Sequence, residues 1–260
     1  MEFTQVLGTR RSIRYFDPDR PVEREKIQKI LEAMRIGSCA MNAHWLRAVV
    51  VYRDELDAEI LERLKLPVAG VIMELAPVHI YCWGDLSVIA RDRGRSPKQL
   101  IDVGALNPSH GWTHRFVDEF VWPQVLEPLS QAPHYPIAVA FDDGGCATQG
   151  LLMAVAEGLG ACWTAFNTEA AREAFGVPAD WIPHYLLNVG YPLESREAGG
   201  QRPRPPFESL YFERRVGEPF RRDERVVREL ERAGMLQAPA PLPGRKEEVR
   251  SLSRKLGLPE

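Results

Sequence analysis

The chain has 260 residues, with 33 basic and 36 acidic side chains and a formal net charge of −3. Hydrophobic residues make up 45% and charged residues 27%, a globular composition that excludes a disordered chain. The near-neutral balance gives no global attraction to nucleic acid or to an anionic membrane surface, and the length predicts one large domain or two small ones.

Four cysteines, at 39, 82, 146 and 162, form no C-x-x-C pair and no metal-ligand spacing, so neither a zinc site nor a disulfide framework is expected. The start, Met-Glu-Phe-Thr-Gln-Val-Leu, lacks the basic flank and apolar stretch of a secretory signal. Apolar runs such as Ala48 to Tyr52 fall far short of the ~20 residues that cross a bilayer. A soluble, cytoplasmic, reduced protein is the expectation.

Taken in chain order, a basic cluster, Arg10-Arg11-Ser12-Ile13-Arg14, precedes a helical pattern in which Ile27, Ile30, Leu31 and Met34 share one face. Asp19 or Pro21 can open that helix and Gly37 can end it. Residues 38–45 read as a loop. Ala48 to Tyr52, rich in valine, predicts a fully buried strand. Asp54 can cap a following helix that buries Leu56, Ile60, Leu61 and Leu64. Pro77 to Trp83 predicts a second strand, ended by Gly84-Asp85.

Residues 86–135 carry Trp112, Phe116, Phe120 and Trp122 with His110, His114 and His134, and read as an inserted helical region whose last helix stops near Pro128. Pro136 to Phe141 predicts a strand. A helix then follows, with Asp142 or Asp143 near its start, Ala147, Leu151, Ala154 and Val155 on one face, and Gly158/Gly160 near its end. Its small residues, Gly144, Gly145, Ala147, Gly150 and Ala154, allow close approach by another helix. Cys162 to Phe166 and Tyr185 to Gly190 predict two further strands. From Pro192 to Pro206 the chain is a polar connection, and two polar helices, about 221–233 and 245–256, flank a proline-rich linker.

Three pieces of this chain have side chains suited to ligand chemistry. Arginines around a serine can hold a phosphate, since guanidinium pairs with it bidentately; taken alone, such a cluster is more often a solvated charged turn. The loop Ser38-Cys39-Ala40-Met41-Asn42-Ala43-His44-Trp45 places an amide, donor and acceptor both, where a heterocycle edge can meet it, or is an ordinary turn with one aromatic anchor. Gly158 to Phe166 offers bare backbone N–H groups, or is a helix C-cap. There is no G-x-G-x-x-G fingerprint, no P-loop, no H-E-x-x-H and no G-x-S-x-G elbow.

Their order carries more than any one of them. Arg10-Arg11-Ser12-Ile13-Arg14-x-Phe16, Ile30-Leu31-Glu32-Ala33, Ala40-Met41-Asn42, Val49-Val50-Val51, Ala147 through Gly160, and Gly190-Tyr191-Pro192 followed by Arg204-Pro205-Pro206 resemble the nitroreductase family of FMN-dependent oxidoreductases. The resemblance covers residues 3–84 and 136–212. It implies an α+β fold, a mixed sheet surrounded by helices in an intertwined homodimer, with FMN at the dimer interface. Residues 1–212 would form the FMN-binding domain, with 86–135 as a helical lid, and 213–260 a polar helical extension.

Carried over by position, the resemblance implies that Arg10, Arg11, Ser12 and Arg14 hold the FMN phosphate and ribityl chain, and that Arg204, with Arg202, closes on the phosphate. Asn42, flanked by Cys39 and His44, faces the ring, and Thr164 and Ala165 offer backbone N–H groups near the flavin N5. Hydride from NADH or NADPH reduces the flavin, and an electron-poor nitro, quinone or enone-like small molecule takes the electrons. No side chain is assigned as an acid–base catalyst, and no metal is implied.

The departures are specific. The family commonly has Pro-Ser where this chain has Ser38-Cys39, and Gln-Pro-Trp where it has His44-Trp45-Leu46. The glutamine usually contacts the flavin, so His44 either supplies a tautomer-dependent hydrogen bond or proton, or only packs. Trp112 and Phe116, in the lid, can stack an aromatic substrate, and Trp122 can pack on a partner subunit. These departures favour a specialised substrate. Within the same fold, the alternatives are dehalogenation, dehydrogenation or flavin fragmentation, or a flavin-binding module with little turnover.

Overall fold

A computed structural model describes residues 1–259 of the chain. The helices are α1 (Phe3–Thr9), α2 (Arg24–Arg35), α3 (Ala58–Leu64), α4 (Gly70–Leu75), α5 (Val88–Asp92), α6 (Arg95–Asp102), α7 (His114–Phe116), α8 (Glu127–Gln131), α9 (Tyr135–Ala156), α10 (Thr168–Phe175), α11 (Glu224–Arg232) and α12 (Arg245–Lys255). The strands are β1 (Leu46–Tyr52), β2 (Val78–Asp85), β3 (Gly160–Thr164) and β4 (Trp181–Gly190), in the sheet order β1-β2-β4-β3.

Helices cover both faces of the sheet. Val78, Ile80 and Cys82 of β2, with Leu187 and Val189 of β4, pack on Ile27, Ile30 and Met34 of α2 and on Leu151 and Ala154 of α9. The alternate residues Tyr81, Trp83 and Leu186 face Leu64, Met73, Phe166 and Ala171 on the other side. Every residue of β2 is therefore buried, and the strand reads as a continuous apolar run because neither of its faces meets water.

The α+β class holds, but the sheet is not mixed. Its four strands pair antiparallel, and parallel pairing is confined to isolated bridges, Ser12 with Ala161 and Gln201 with Pro239. The segment beside β3 contributes a single bridged residue, with Ile13 N–H donating to Ala161 O at 3.1 Å, too little to form a fifth strand.

Several local expectations need correction. Pro136 to Phe141 is the first turns of the 22-residue helix α9, not a strand; Pro136 sits in the first turn, where its missing N–H has no helical partner to lose. Asp142 and Asp143 are thus mid-helix. The strand β1 lies at the sheet edge and is only half-buried. The cap of α3 is Asp57, whose carboxylate accepts from Glu59 N–H, while Asp54 lies in a preceding 3₁₀ turn. Helix α2 starts at Arg24, three residues beyond Pro21. The lid helix does not stop at Pro128: a π-helical stretch, Val117–Leu126, runs directly into α8.

The 86–135 region packs around an apolar cluster of Trp45, Val88, Ile89, Val117, Val121, Leu126, Tyr135 and Val139. Trp45 Nε1–H donates to the Tyr135 hydroxyl at 2.7 Å and pins it to β1. Trp122 packs against this cluster of its own chain. The small residues of α9 divide by face. A Cβ on Gly150 would meet Met34 of α2 at 2.4 Å, whereas Gly144 and Gly145 face open space. No helix among the described residues is long and apolar enough to cross a membrane.

Candidate functional site

The arginine cluster folds into one basin with the distant connection. Arg10, Arg11, Ser12, Gln201, Arg202 and Arg204, with Leu7 and Leu236, line a cavity of about 180 Å³ that contains no carboxylate. The charges act on one another. Burial first, and then the neighbouring Arg204, pulls the Arg10 guanidinium below its ordinary value. Burial also lowers Arg11, with Arg10 and Arg202 adding to it and Glu197 opposing. Cations gathered around a cavity whose lining holds no carboxylate make a site that an anion stabilises.

The arginines do not play the same part. All the Arg11 nitrogens donate to the protein: Nε to Glu197 O at 3.2 Å, Nη1 to Gly8 O at 2.6 Å and Arg10 O at 2.9 Å, and Nη2 to Gln237 Oε1 at 2.8 Å. Arg11 is buried and ties α1 to the connection and the C-terminal extension. Arg202 holds Ala198 O at 3.0 Å through Nη1, and Arg204 makes a weak contact to Pro203 O at 3.4 Å. Arg14 is exposed and bonds to Ser12 O at 3.2 Å. Arg10, Arg202, Arg204 and Ser12 thus keep donors for a guest, and the Arg11 side chain does not.

The loop at 39–44 is unusual backbone. Met41, Asn42 and His44 have φ of +53°, +55° and +53°, a left-handed region that side chains with a Cβ seldom enter. The turn is held from outside: Ala40 N–H donates to Asp142 Oδ2 on α9 at 2.7 Å, and Arg47 Nη1 to His44 O at 2.8 Å. Within it, Cys39 Sγ lies 3.4 Å from His44 Nδ1, and His44 Nε2 lies 2.8 Å from Asn42 Oδ1.

Thr164 closes β3, and its hydroxyl accepts from Asn188 Nδ2 at 2.7 Å. Ala165 follows just beyond the strand. In the 86–135 region, Trp112 and Phe116 meet edge to face at 5.7 Å between centroids, and Phe116 stacks on Phe120 at 5.3 Å. Neither Trp112 nor Phe116 lines the arginine basin.

Some candidates were not visible in the sequence. Gln201 and Leu236 reach the basin from 190 and more positions away. A second cavity, about 540 Å³, lies between α9 and β4 and is lined by Thr148, Trp163, Tyr185 and a buried pair, Asp143 with His184 Nε2 at 2.8 Å. Burial raises the Asp143 carboxyl above its ordinary value, and the hydrogen bond from His184 opposes that shift. Asp143 carried only the signal of a helix cap.

Comparison with known proteins follows the same outline. The model of the nitroreductase family matches residues 7–77, which span the arginine cluster, the 39–44 loop and β1. The fold is shared with solved members: a nitroreductase family protein from Streptococcus pneumoniae TIGR4 superposes with a TM-score of 0.63 at 18% identity, covering 82% of this chain and all of the other. The chain is similar to the nitroreductase family over these N-terminal residues and has its fold. A nitroreductase from Exiguobacterium sibiricum, solved in complex with FMN, matches with a TM-score of 0.64 at 21% identity, covering 81% of this chain and 96% of that one. A protein of Methanothermobacter thermautotrophicus, named as an NADH dehydrogenase/NAD(P)H nitroreductase, is 26% identical over 201 residues, covering 75% of this chain and 80% of its own.

Proposed function

We propose that this protein is an FMN-dependent oxidoreductase that takes hydride from NADH or NADPH and reduces an electron-poor small molecule of the nitro, quinone or enone-like class. The observation that carries this reading is the carboxylate-free basin of Arg10, Ser12, Arg202 and Arg204, in a fold shared with a protein solved with FMN bound.

In this reading Arg10, Arg202 and Arg204 neutralise the phosphate, with Ser12 adding a hydroxyl donor and Arg14 lying toward the ribityl chain. Arg11 supports the basin from beneath. The backbone N–H groups of Thr164 and Ala165, with Asn42, orient the ring. Bound FMN would supply hydride-transfer chemistry, which amino-acid side chains lack. The surrounding cations and N–H donors would stabilise negative charge on it.

A homodimer fits the surface of α9. Ile137 is 72% exposed and Phe141 82% exposed, one helical turn apart, and Gly144 and Gly145 beside them are open. An apolar stripe of this kind is an association surface by its composition.

An absorbance scan of the purified protein, followed by anaerobic addition of NADH and of NADPH, tests the proposal. A yellow protein bleached by either nucleotide supports it. Colourless protein that takes up no FMN on titration rejects it. Yellow protein that neither nucleotide reduces points instead to a specialised flavin chemistry or to a binding module.

A further inference from the structure

The His44 ring has one identifiable tautomer. Its Nε2 lies 2.8 Å from Asn42 Oδ1, an amide oxygen that only accepts, so Nε2 carries the proton. Nδ1 is then a bare lone pair, 3.4 Å from Cys39 Sγ, and the thiol can donate to it. The His44 backbone N–H reaches the same sulfur from 3.3 Å and would stabilise negative charge there. A nucleophile, a base within hydrogen-bond reach and a third group that orients the base form a general pattern for activated nucleophiles.

We propose that Cys39, His44 and Asn42 form an activated-thiol site that captures electron-poor alkenes covalently. In the step, the Cys39 S–H proton passes to His44 Nδ1 as the sulfur forms a bond to the β-carbon of a conjugated carbonyl compound. The alkene π pair moves to the α-carbon as an enolate, and the imidazolium returns the proton there. The product is a thioether, with no net oxidation or reduction and no other reactant.

The surroundings explain why the base is needed. From α9, Asp142 and Asp143 oppose charge on the sulfur, and burial opposes it more, so the Cys39 thiol lies above its ordinary value despite the His44 and Ala43 N–H groups. From the same helix Cys146 adds a second protonated thiol, also raised. Arg47, on β1, donates to the His44 carbonyl and pairs with Asp85. The thiol is therefore protonated near neutrality and reacts through His44, whereas a bare thiolate would react without it.

The test is the rate of N-ethylmaleimide addition to the full chain as purified, located by peptide mass. We expect Cys39 to be modified first, since Cys82, Cys146 and Cys162 are buried. In the unaltered chain the addition should slow clearly in D2O, because the thiol proton passes to His44 as the S–C bond forms. His44→Gln should lower the neutral-pH rate by about tenfold or more, and Asn42→Ala should lower it less. A rate that is the same in both solvents, or that His44→Gln leaves unchanged, overturns the proposal. So does a Cys39 that stays unmodified until the protein is denatured. The solvent comparison on the unaltered chain decides even if a variant fails to fold, and none of these readouts requires that FMN bind.

Discussion

Arg245 of α12 pairs with Glu194, whose side chain is fully buried behind β3 and which also accepts from the backbone N–H groups of Arg14 and Tyr15. A residue near the C-terminus thereby neutralises the carboxylate that shapes the N-terminal arginine segment. Arg245→Ala would leave Glu194 buried with only N–H partners. Breaking a buried pair in this way costs about 3–5 kcal/mol, so the urea midpoint should fall clearly. An unaltered midpoint would show that water replaces the guanidinium.

Truncation after residue 216 removes that arginine together with Gln237, the partner of Arg11 Nη2. The expected result is a less stable protein with weakened FMN retention, because both the support of Arg11 and the clamp on Arg14 go. If flavin retention and thermal midpoint survive, the extension is an accessory; a loss confined to dimerisation would make it an arm that wraps the partner.

Arg10→Ala and Arg204→Ala should weaken FMN retention with little loss of stability. Each removes a charged hydrogen bond of about 1.5–3 kcal/mol, or roughly tenfold to a hundredfold in affinity. Arg11→Ala should instead lower the thermal midpoint, since its donors hold Gly8, Arg10, Glu197 and Gln237. Titrating the apoprotein with FMN, alongside thermal melts, separates the two behaviours. Equal affinity across all three variants would move the phosphate elsewhere.

His79 is buried on β2 and donates to Met73 O at 2.9 Å. Burial drives its pKa down from 6.5 to about 4. The folded state thus disfavours the imidazolium: its contribution to stability is intact above ~6.5 and is lost as pH falls through the window down to about 4. The 2.5-unit gap is worth about 3 kcal/mol in full. Urea midpoints measured across that window should fall with pH in the parent and much less in His79→Gln. Parallel curves would place the acid sensitivity in other groups.

Two glycines predict opposite tolerance. At Gly37 a Cβ would meet Cys146 Sγ at 2.5 Å and its Cα at 2.8 Å. Backbone cannot move aside, so Gly37→Ala should destabilise by about 1–3 kcal/mol. At Gly150 the obstacle is the unbranched side chain of Met34, from Cγ at 2.6 Å to its terminal methyl, which can change rotamer, and alanine in mid-helix gains about 1 kcal/mol over glycine. Gly150→Ala should melt near the parent temperature. The reverse order of melting points would disprove this account of the α2–α9 contact.

Where local pattern governed, the sequence was readable. The valines of β1, the apolar run of β2, the amphipathic α2 and the polar α11 and α12 were all placed within a few residues. The Pro136–Phe141 stretch was not, because a short apolar run with β-branched residues has no period that separates strand from helix. Its place at the start of a helix whose outer face is itself apolar, with Ile137 and Phe141 turned outward, removed the polar side that would have marked it.

That arginines crowd the N-terminus, that a cysteine, an asparagine and a histidine share one tight loop, and that the elements follow in an order similar to the nitroreductases can all be read from the residues in line. Which arginine is consumed as a strut and which keep their donors, that Arg202 and Arg204 join Arg10 in one basin, and that Glu194 answers to Arg245 emerge once the chain is folded. The reason is one of range. Secondary structure responds to neighbours a few residues apart, whereas the protonation, donor supply and burial of a side chain depend on partners that the chain brings back from 40 to more than 200 positions away.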